Sequence, residues 1–336
     1  MPGRRRCGDV WLLQMREGCG LCGGGFSSRP SRMRTIVAGI CRNIEPQISV
    51  LAQFFQELIG RRPTVEIFLY ENNSTDGTKD ALVRLQTLYP ANLRVKMEDI
   101  SREDLLAACK ARTWDNLPCR LECIARARNC LLEFLQEGQR IADEDVVAFV
   151  DVDMAGLPPM ERFVRYLTDF PADVDAVLAN GLNRRGNYYD LYALRDPGQP
   201  FGPEIQGESF WKHMGVRRFT EKKLVFSGFG GIGIYRGACL RDNAYSGIPT
   251  PALDAFLKMQ FRAAKQNPPV LETHINGALQ GVYLFGAAKG TDIFYQNNSG
   301  YNFPVVCEHS TFHATMVMRG QGRIFVDPAL IYLSTH

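Results

Sequence analysis

Two aspartates separated by one residue, Asp151 and Asp153, directly follow the apolar run Val146–Val150. Alternate side chains of an extended segment point to the same side, so both carboxylates can converge on one cation. Oxygen ligands of this kind suit Mg²⁺ or Mn²⁺. An isolated Asp-x-Asp is commonly a solvated loop, but α/β proteins form their ligand sites at strand ends. We therefore predict a divalent-cation site at this pair, with Asp151 also a candidate for contact with a ribose.

A polar segment, Glu71 to Thr78, follows the earlier apolar run Thr64–Tyr70. Its Asn, Ser, Asp and Gly residues favour turns and helix caps, so an N-capped turn is expected here. Carboxylate and amide groups after an early strand can also bind a nucleobase or a ribose. We predict that Glu71 and Asp76 contact the nucleoside of a nucleotide ligand.

Two arginines, Arg126 and Arg128, lie on the helix that is predicted over Pro118–Gln136. Arginine suits phosphate because its planar guanidinium makes paired hydrogen bonds. Residues two apart cannot share one helix face, and Arg128 lies on the same side as Leu131 and other apolar residues. Arg128 is therefore the better candidate for binding a phosphate of the nucleotide ligand. A buried structural ion pair is the alternative.

A glycine-rich stretch, Phe226–Gly233, contains Ser227, Gly230 and Gly231. These glycines either make a tight bend or bring backbone amides close to a ligand, because no side chain intervenes. The lysine and hydroxyl of a Walker phosphate loop are missing. We predict that Ser227, Gly230 and Gly231 contact a sugar or an acceptor.

Two of the five histidines, His309 and His313, lie close together near the C-terminus. Two neighbouring aspartates fill only part of a six-coordinate shell, and neutral imidazole also binds Mn²⁺. The apolar run Phe303–Cys307 is predicted to be a strand that ends at the same sheet edge as Asp153. We therefore predict that His309 is a third metal ligand, with His313 as the second choice.

The elements that must position these residues alternate between apolar strands and amphipathic helices from Thr35 onward. This order predicts an α/β fold with a mainly parallel central sheet flanked by helices. In such sheets ligands bind at the carboxyl ends of the strands, which brings the predicted site residues to one edge. Strands are predicted over Thr35–Cys41, Thr64–Tyr70, Leu93–Met97, Val146–Val150 and Asp175–Ala179.

Length and composition fit one globular domain of 336 residues with a net charge of +3. We predict a disordered tail over 1–32 and a domain over 33–336, with a nucleotide-binding half, 33–184, and an acceptor half, 185–336. The low net charge argues against a nucleic-acid partner. No apolar run approaches the roughly 20 residues of a transmembrane helix, and no signal peptide is evident. The ten cysteines are therefore interpreted as free thiols of a cytoplasmic protein.

Taken together, these stretches resemble the cryptococcal capsule-associated α-1,3-mannosyltransferase family. The likeness runs from about Met33 to about Met318. The segments that carry it are Tyr70–Thr78, Ala127–Asn129, Asp151–Asp153, Tyr189–Asp190 with Arg195–Asp196, Phe229–Arg236 and Cys307–His309.

The resemblance implies a GT-A (nucleotide-diphospho-sugar transferase) fold and a nucleotide-diphosphate sugar donor, with GDP-mannose favoured. It further implies Mn²⁺ or Mg²⁺ at Asp151 and Asp153, transfer with retention to a glycan acceptor in polysaccharide biosynthesis, and a sugar or acceptor contact at Asp190. The fungal members look like membrane-anchored lumenal enzymes, whereas no transmembrane segment is predicted for this chain.

Two other functions remain open from the sequence. A sugar-1-phosphate nucleotidyltransferase shares the α/β plan and the metal chemistry, but a basic glycine-rich loop normally follows its first strand, where this chain has Ala38–Asn43. A non-catalytic nucleotide-sugar-binding protein is the other alternative. Such proteins usually lose a metal-binding carboxylate, and this chain retains both.

Overall fold

The computed structural model describes residues 33–215, 217–263, 273–275, 278–280, 282–285, 293–296 and 300–335. The tail predicted over 1–32 lies outside these residues. Arg34–His336 forms one compact unit. Among the helices of the described residues, none has the length and apolar character that crossing a membrane requires.

The first half of this unit follows the predicted alternation of strands and helices. Apolar residues at helical spacing, Leu51, Phe54, Phe55 and Leu58, are buried on one face of the first helix. The elements are β1 Thr35–Cys41, α1 Ile48–Arg61, β2 Glu66–Asn72, α2 Thr78–Leu88, β3 Leu93–Glu98, α3 Arg102–Ala108, α4 Arg120–Leu135, β4 Val146–Val150, α5 Met160–Thr168 and β5 Ala176–Leu182.

The second half has shorter elements and longer connections. Its short strands β8 to β11 pair in twos outside the central sheet. The elements are α6 Pro203–Gln206, α7 Glu208–Met214, β6 Lys223–Val225, β7 Ile232–Arg236, α8 Pro251–Ala263, β8 Thr273–Ile275, β9 Ala278–Gln280, β10 Val282–Phe285, β11 Ile293–Gln296, α9 Glu308–Met318 and β12 Ile324–Leu333.

The central sheet has the strand order β3-β2-β1-β4-β7-β5-β12-β6. Strands β3, β2, β1 and β4 pair in parallel, and β5 pairs in parallel with β12. Only β7 and β6 run against the others, because β7 pairs antiparallel with β4 and β5, and β6 with β12. The predicted α/β fold with a mainly parallel sheet is therefore confirmed.

The strand register brings three loops to one edge of the sheet. Cys41 at the end of β1 pairs with Glu71 in β2, and Ala38 pairs with Phe149 in β4. Because parallel strands share their direction, the segments that follow β1, β2 and β4 leave the sheet on the same side. This is the edge at which the site residues were expected.

One predicted strand is wrong. Phe303–Cys307 was expected to be a strand, but residues 303–306 form neither helix nor strand, and α9 begins at Glu308 with Cys307 as its N-cap. Pro304 lacks a backbone N–H and so cannot donate to a strand ladder. Glu308 and His309 consequently lie in the first turn of a helix.

Gly230, which precedes β7, lies against the backbone of β5. Its φ is +63°, and a Cβ at this position would lie 2.3 Å from the carbonyl oxygen of Ala179. Gly186 offers a comparison, because its φ is +70° but its Cβ would meet no described atom within 4 Å. A side chain at Gly230 would therefore strain the backbone and also clash with β5. A side chain at Gly186 would only strain the backbone.

We predict that Gly230→Ala lowers the free energy of unfolding by about 3 kcal/mol, because strain at positive φ adds to a clash with a strand. Gly186→Ala should cost about 1 kcal/mol, which is the conformational strain alone. Urea denaturation of both variants measures the difference. Equal losses would show that β5 moves away to accommodate the methyl group.

Candidate functional site

A cavity of about 460 Å³ opens at the carboxyl edge of β1, β2 and β4. This volume lies within the range of ligand sites in proteins. Its lining comes from two parts of the chain. The first part supplies residues after the early strands and from α4, among them Arg42, Asn72, Arg120, Cys123, Arg128, Asp151 and Asp153. The second part supplies Tyr189, Asp190, Tyr192, Phe229, Cys307, Glu308 and His309.

Asp151, the first residue after β4, is fixed by three contacts. Its backbone N–H donates to Gly231 O at 2.8 Å, and its Oδ1 lies 3.3 Å from Arg128 Nη2. Tyr189 Oη lies 3.5 Å from the other carboxylate oxygen. Burial raises the pKa of Asp151 to about 7, against the opposing effect of the Arg128 charge. The carboxylate is thus held in a poorly solvated position.

Asp153 lies on the same cavity wall and is linked to Asp151 through β12. Tyr332 Oη donates to the backbone carbonyl of Asp151 at 3.2 Å and lies 3.4 Å from Asp153 Oδ1. One tyrosine on β12 therefore fixes the loop that carries both aspartates. The two carboxylates face one cavity, as the spacing of the pair predicts.

Arg128 is a buried cation beneath this wall. Its Nε lies 3.3 Å from Glu308 Oε1, while its Nη2 reaches Asp151. The guanidinium also lies over the ring of Phe229, 4.9 Å from the centroid. Burial opposes the charge, but the carboxylates of Asp151 and Glu308 keep the pKa of Arg128 above its ordinary value. Arg128 thus lines the cavity and also makes the buried ion pair that the sequence left as the alternative.

His309 lines the cavity next to this ion pair. Its ring stacks on Phe229 at a centroid distance of 4.1 Å, and Nε2 lies 3.6 Å from Glu308 Oε1. Burial and the nearby Arg128 charge hold the pKa of His309 well below its usual value, so the imidazole is neutral. Among the described residues, neither ring nitrogen finds a hydrogen-bond partner. A neutral, unsatisfied imidazole is suited to a ligand in the cavity.

The acidic pair and His309 do not form a complete metal site by themselves. In the described part of the chain, no group of three or more His, Cys, Asp or Glu side chains is arranged to hold a metal ion. The placement of Asp151 and Asp153 fits a cation that takes most of its ligands from a bound molecule and from water. His309 as a third ligand remains a prediction.

Asp190 also lines the cavity, as a contact to a sugar requires. Its Oδ2 accepts a hydrogen bond from Gly230 N at 3.0 Å. Burial raises the pKa of Asp190 to about 7, although this hydrogen bond acts in the opposite direction. Gly230 and Gly231, with φ of +63° and +86°, make the tight bend that carries this amide and the carbonyl that accepts from Asp151. They therefore position carboxylates on the wall.

Two residues predicted to contact a nucleoside lie elsewhere. Glu71 is fully buried within β2, where its Oε1 accepts from Ser74 N at 2.7 Å. Asp76 accepts from the backbone N–H groups of Thr78 and Glu45, which fastens the start of α2. Neither belongs to the cavity lining that the described residues form. Both side chains instead accept hydrogen bonds from backbone N–H groups of the turn between β2 and α2, and the N-cap residue of α2, Gly77, has no side-chain cap hydrogen bond.

Ser227 and His313 are likewise buried away from the cavity. Ser227 Oγ lies 3.1 Å from His313 Nδ1, and Tyr235 Oη lies 3.0 Å from His313 Nε2. Both imidazole nitrogens are thus occupied, and burial lowers the pKa of His313 to about 3. The predicted contact of Ser227 with a sugar or acceptor is not supported by this placement, and His313 is a structural residue.

Several lining residues were not singled out from the sequence. Arg42 and Asn72 follow or end β1 and β2, Arg120 begins α4, and Glu308 precedes His309. The signal that was available for Arg42 and Asn72 is their position at a strand's carboxyl end. Arg42 and Arg120 are exposed and line the cavity, where their positive charge can meet an anionic ligand.

A comparison with families of known proteins gives a match over most of the chain. The family model described as cryptococcal mannosyltransferase 1 matches residues 35–275. No curated protein matches the sequence.

Solved structures resemble the fold at low identity. The mannosyltransferase PcManGT from Pyrobaculum calidifontis, in complex with GDP-Man and Mn²⁺, is 13% identical with a TM-score of 0.42 over 98% of this chain. TarS 1-349 of S. aureus, in complex with UDP-GlcNAc, is 15% identical with a TM-score of 0.43 over 90% of this chain. The chain spans 64% and 59% of the length of those two chains. A putative glucose-1-phosphate thymidylyltransferase from Bacillus anthracis is 12% identical, with a TM-score of 0.31 over 62% of this chain and 73% of that chain.

We predict that Arg128→Met lowers the free energy of unfolding by about 3–5 kcal/mol at pH 7, because it leaves the buried carboxylate of Glu308 and the partly buried carboxylate of Asp151 without their cation. Arg126→Met on the same helix is the matched control. The Arg126–Glu98 pair is partly solvated, so its loss should cost less than about 1 kcal/mol. Urea denaturation compares the two. If both variants lose a similar amount of unfolding free energy, Arg128 is not needed to hold the cavity wall in place.

His313 makes stability depend on pH. The unfolded chain binds a proton at this residue near pH 6.5, whereas the folded chain does so only near pH 3. As the pH falls below 6.5, folding should therefore lose about 1.4 kcal/mol per pH unit through this residue. Between pH 6.5 and 4.5, the unfolding free energy of His313→Gln should therefore fall by about 1.4 kcal/mol less per pH unit than that of the wild type. An unchanged slope in the variant would contradict the assignment.

Proposed function

The chain belongs to the cryptococcal mannosyltransferase 1 family, and on that premise we propose that it is a metal-dependent GT-A glycosyltransferase. The proposed donor is a nucleotide-diphosphate sugar, with GDP-mannose favoured, and the proposed acceptor is a glycan hydroxyl. The observation that carries this proposal is the placement of Asp151 and Asp153 on the wall of a ligand-sized cavity, at the carboxyl edge of a mainly parallel sheet.

Charge supports a divalent cation in this cavity. Asp151, Asp153, Asp190 and Glu308 all line it, and the donor brings a diphosphate of the same sign. Like charges that share one cavity repel each other more strongly where water is partly excluded. Mn²⁺ or Mg²⁺ held by Asp151 and Asp153 would neutralise the diphosphate as the glycosidic bond breaks. The neutral imidazole of His309 is the proposed additional ligand.

The basic residues have different roles in this proposal. Arg128 already contacts Asp151 and Glu308, so it acts on the donor by holding Asp151 in place. Arg42 and Arg120 are exposed at the cavity, and we assign them to the donor phosphates or nucleoside. Asn72, beside Arg42, offers amide groups to the base or ribose.

The second part of the lining is assigned to the sugar. Carboxylates accept hydrogen bonds from sugar hydroxyls, and Asp190 and Glu308 lie on the cavity wall together with Tyr189. Gly230 N and Arg128 orient these two carboxylates before a sugar arrives. Transfer with retention is part of the proposal. In it, an oxygen of the departing diphosphate takes the proton of the acceptor hydroxyl, so that no protein base is required.

We predict that Asp153→Asn lowers Mn²⁺-stimulated release of GDP from GDP-mannose by about a thousandfold, because about 4 kcal/mol of charge stabilisation is lost. The melting temperature should change little, since the residue lies on a cavity wall. Asp173→Asn is the control, because this exposed aspartate precedes the opposite end of β5. A variant at Asp153 that retains normal turnover and Mn²⁺ dependence would refute the metal assignment.

A further inference from the structure

Tyr192 extends the cavity wall beyond Asp190. It follows Asp190 by two residues in the connection between β5 and α6, and it lines the same cavity. The residue is partly buried, so its ring forms part of a fixed wall. An aromatic ring thus lies on the part of the wall to which the sugar is assigned.

Trp211 on α7 continues this aromatic surface into solvent. Its ring lies nearly parallel to that of Tyr192, at a centroid distance of 6.4 Å and an interplanar angle of 12°. The side chain is nevertheless 50% exposed. A tryptophan that is ordered against a cavity wall and still presents half of its surface to water is an available contact surface.

The residue before Trp211, Phe210, fixes this part of α7 to the protein interior. The neighbouring ring of Phe210 is fully buried and meets Trp211 edge to face at 4.9 Å. The guanidinium of Arg195 lies 5.4 Å from the Phe210 centroid and pairs with the buried Glu204 at 2.9 Å. A buried ion pair and a buried ring thus hold an exposed ring in one place, and this preorganisation lowers the entropic cost of binding a ligand.

We propose that Tyr192 and Trp211 form a binding site for a glycan acceptor, with Trp211 stacking on a sugar unit next to the one that receives the transferred sugar. The proposal rests on the function proposed above and assigns the acceptor to one surface. The C–H bonds of a sugar ring carry small positive charges, which the negative face of an aromatic ring attracts. The surface is continuous with a cavity whose carboxylates Asp190 and Glu308 suit hydroxyl groups. A glycan matches both features, because its C–H bonds suit the aromatic ring and its hydroxyl groups suit the carboxylates.

Oligosaccharide length separates this site from the reaction centre. A monosaccharide acceptor reaches only the cavity, whereas a trisaccharide also covers Trp211. With GDP-mannose and Mn²⁺, Trp211→Ala should raise the KM for a mannotriose acceptor about tenfold. The KM for methyl α-mannoside, and GDP release without acceptor, should stay within about twofold, because no contact to the donor is lost.

Two variants control for other effects. Trp211→Phe keeps an aromatic face and should restore most of the affinity for mannotriose. Trp114→Ala removes another exposed tryptophan, 79% exposed on the loop between α3 and α4, and should leave every constant unchanged. Equal effects on the monosaccharide and the trisaccharide, or no effect on either, would overturn the proposal.

Binding without turnover keeps this test independent of the proposed reaction. Tryptophan fluorescence is titrated with neutral trisaccharides of mannose, glucose, galactose or xylose, using wild-type protein and the three variants. We expect at least one trisaccharide to change the fluorescence of wild type and Trp114→Ala and to have no effect on Trp211→Ala. If no trisaccharide does so, or if only a short-chain phospholipid does, the glycan site is refuted. Saturable Trp211-dependent binding without any donor turnover would refute the proposed function alone.

Discussion

The structure around the cavity depends on one buried cation. Arg128 on α4 lies between Asp151, which follows β4, and Glu308, which begins α9 and is 180 residues away, so one guanidinium joins both parts of the chain that line the cavity. Removing water from such a group is costly, and the two carboxylates together with the rings of Phe229 and Tyr245 compensate for it. In a poorly solvated environment, this arrangement has little freedom to relax. The cavity wall is therefore set before any ligand binds.

Other contacts extend this constraint to both ends of the cavity. Tyr332 holds the aspartate loop from β12, and the bend at Gly230 and Gly231 delivers one amide to Asp190 and one carbonyl to Asp151. The result is a wall rich in carboxylates whose nearest cation is already paired. An anionic diphosphate next to these carboxylates requires positive charge, which Arg42 and Arg120 supply in part and a divalent cation would complete. This requirement links the geometry to the proposed metal dependence.

The sequence predicted the parts that local periodicity and strand ends determine. Val146–Val150 followed by two aspartates defined both a strand and a position on the cavity, and the structure places both side chains there. Glu71 was misassigned because β2 continues to Asn72, which turns the carboxylate into the interior. Glu308 was overlooked because its partner Arg128 is 180 residues away and its helix looked like the end of a strand. Pairings of this kind arise from tertiary packing, which no local pattern encodes.

The activity proposed for this cavity is the turnover of a nucleotide sugar with the help of a divalent cation. Its most direct test is the release of nucleoside diphosphate from a panel of nucleotide sugars by the wild-type chain, with Mn²⁺ and with a chelator. We expect GDP release from GDP-mannose that rises with Mn²⁺ and stops when the metal is removed. The absence of turnover of every nucleotide sugar would contradict it. So would pyrophosphate release from a nucleoside triphosphate and a sugar 1-phosphate, which is the reaction of a nucleotidyltransferase.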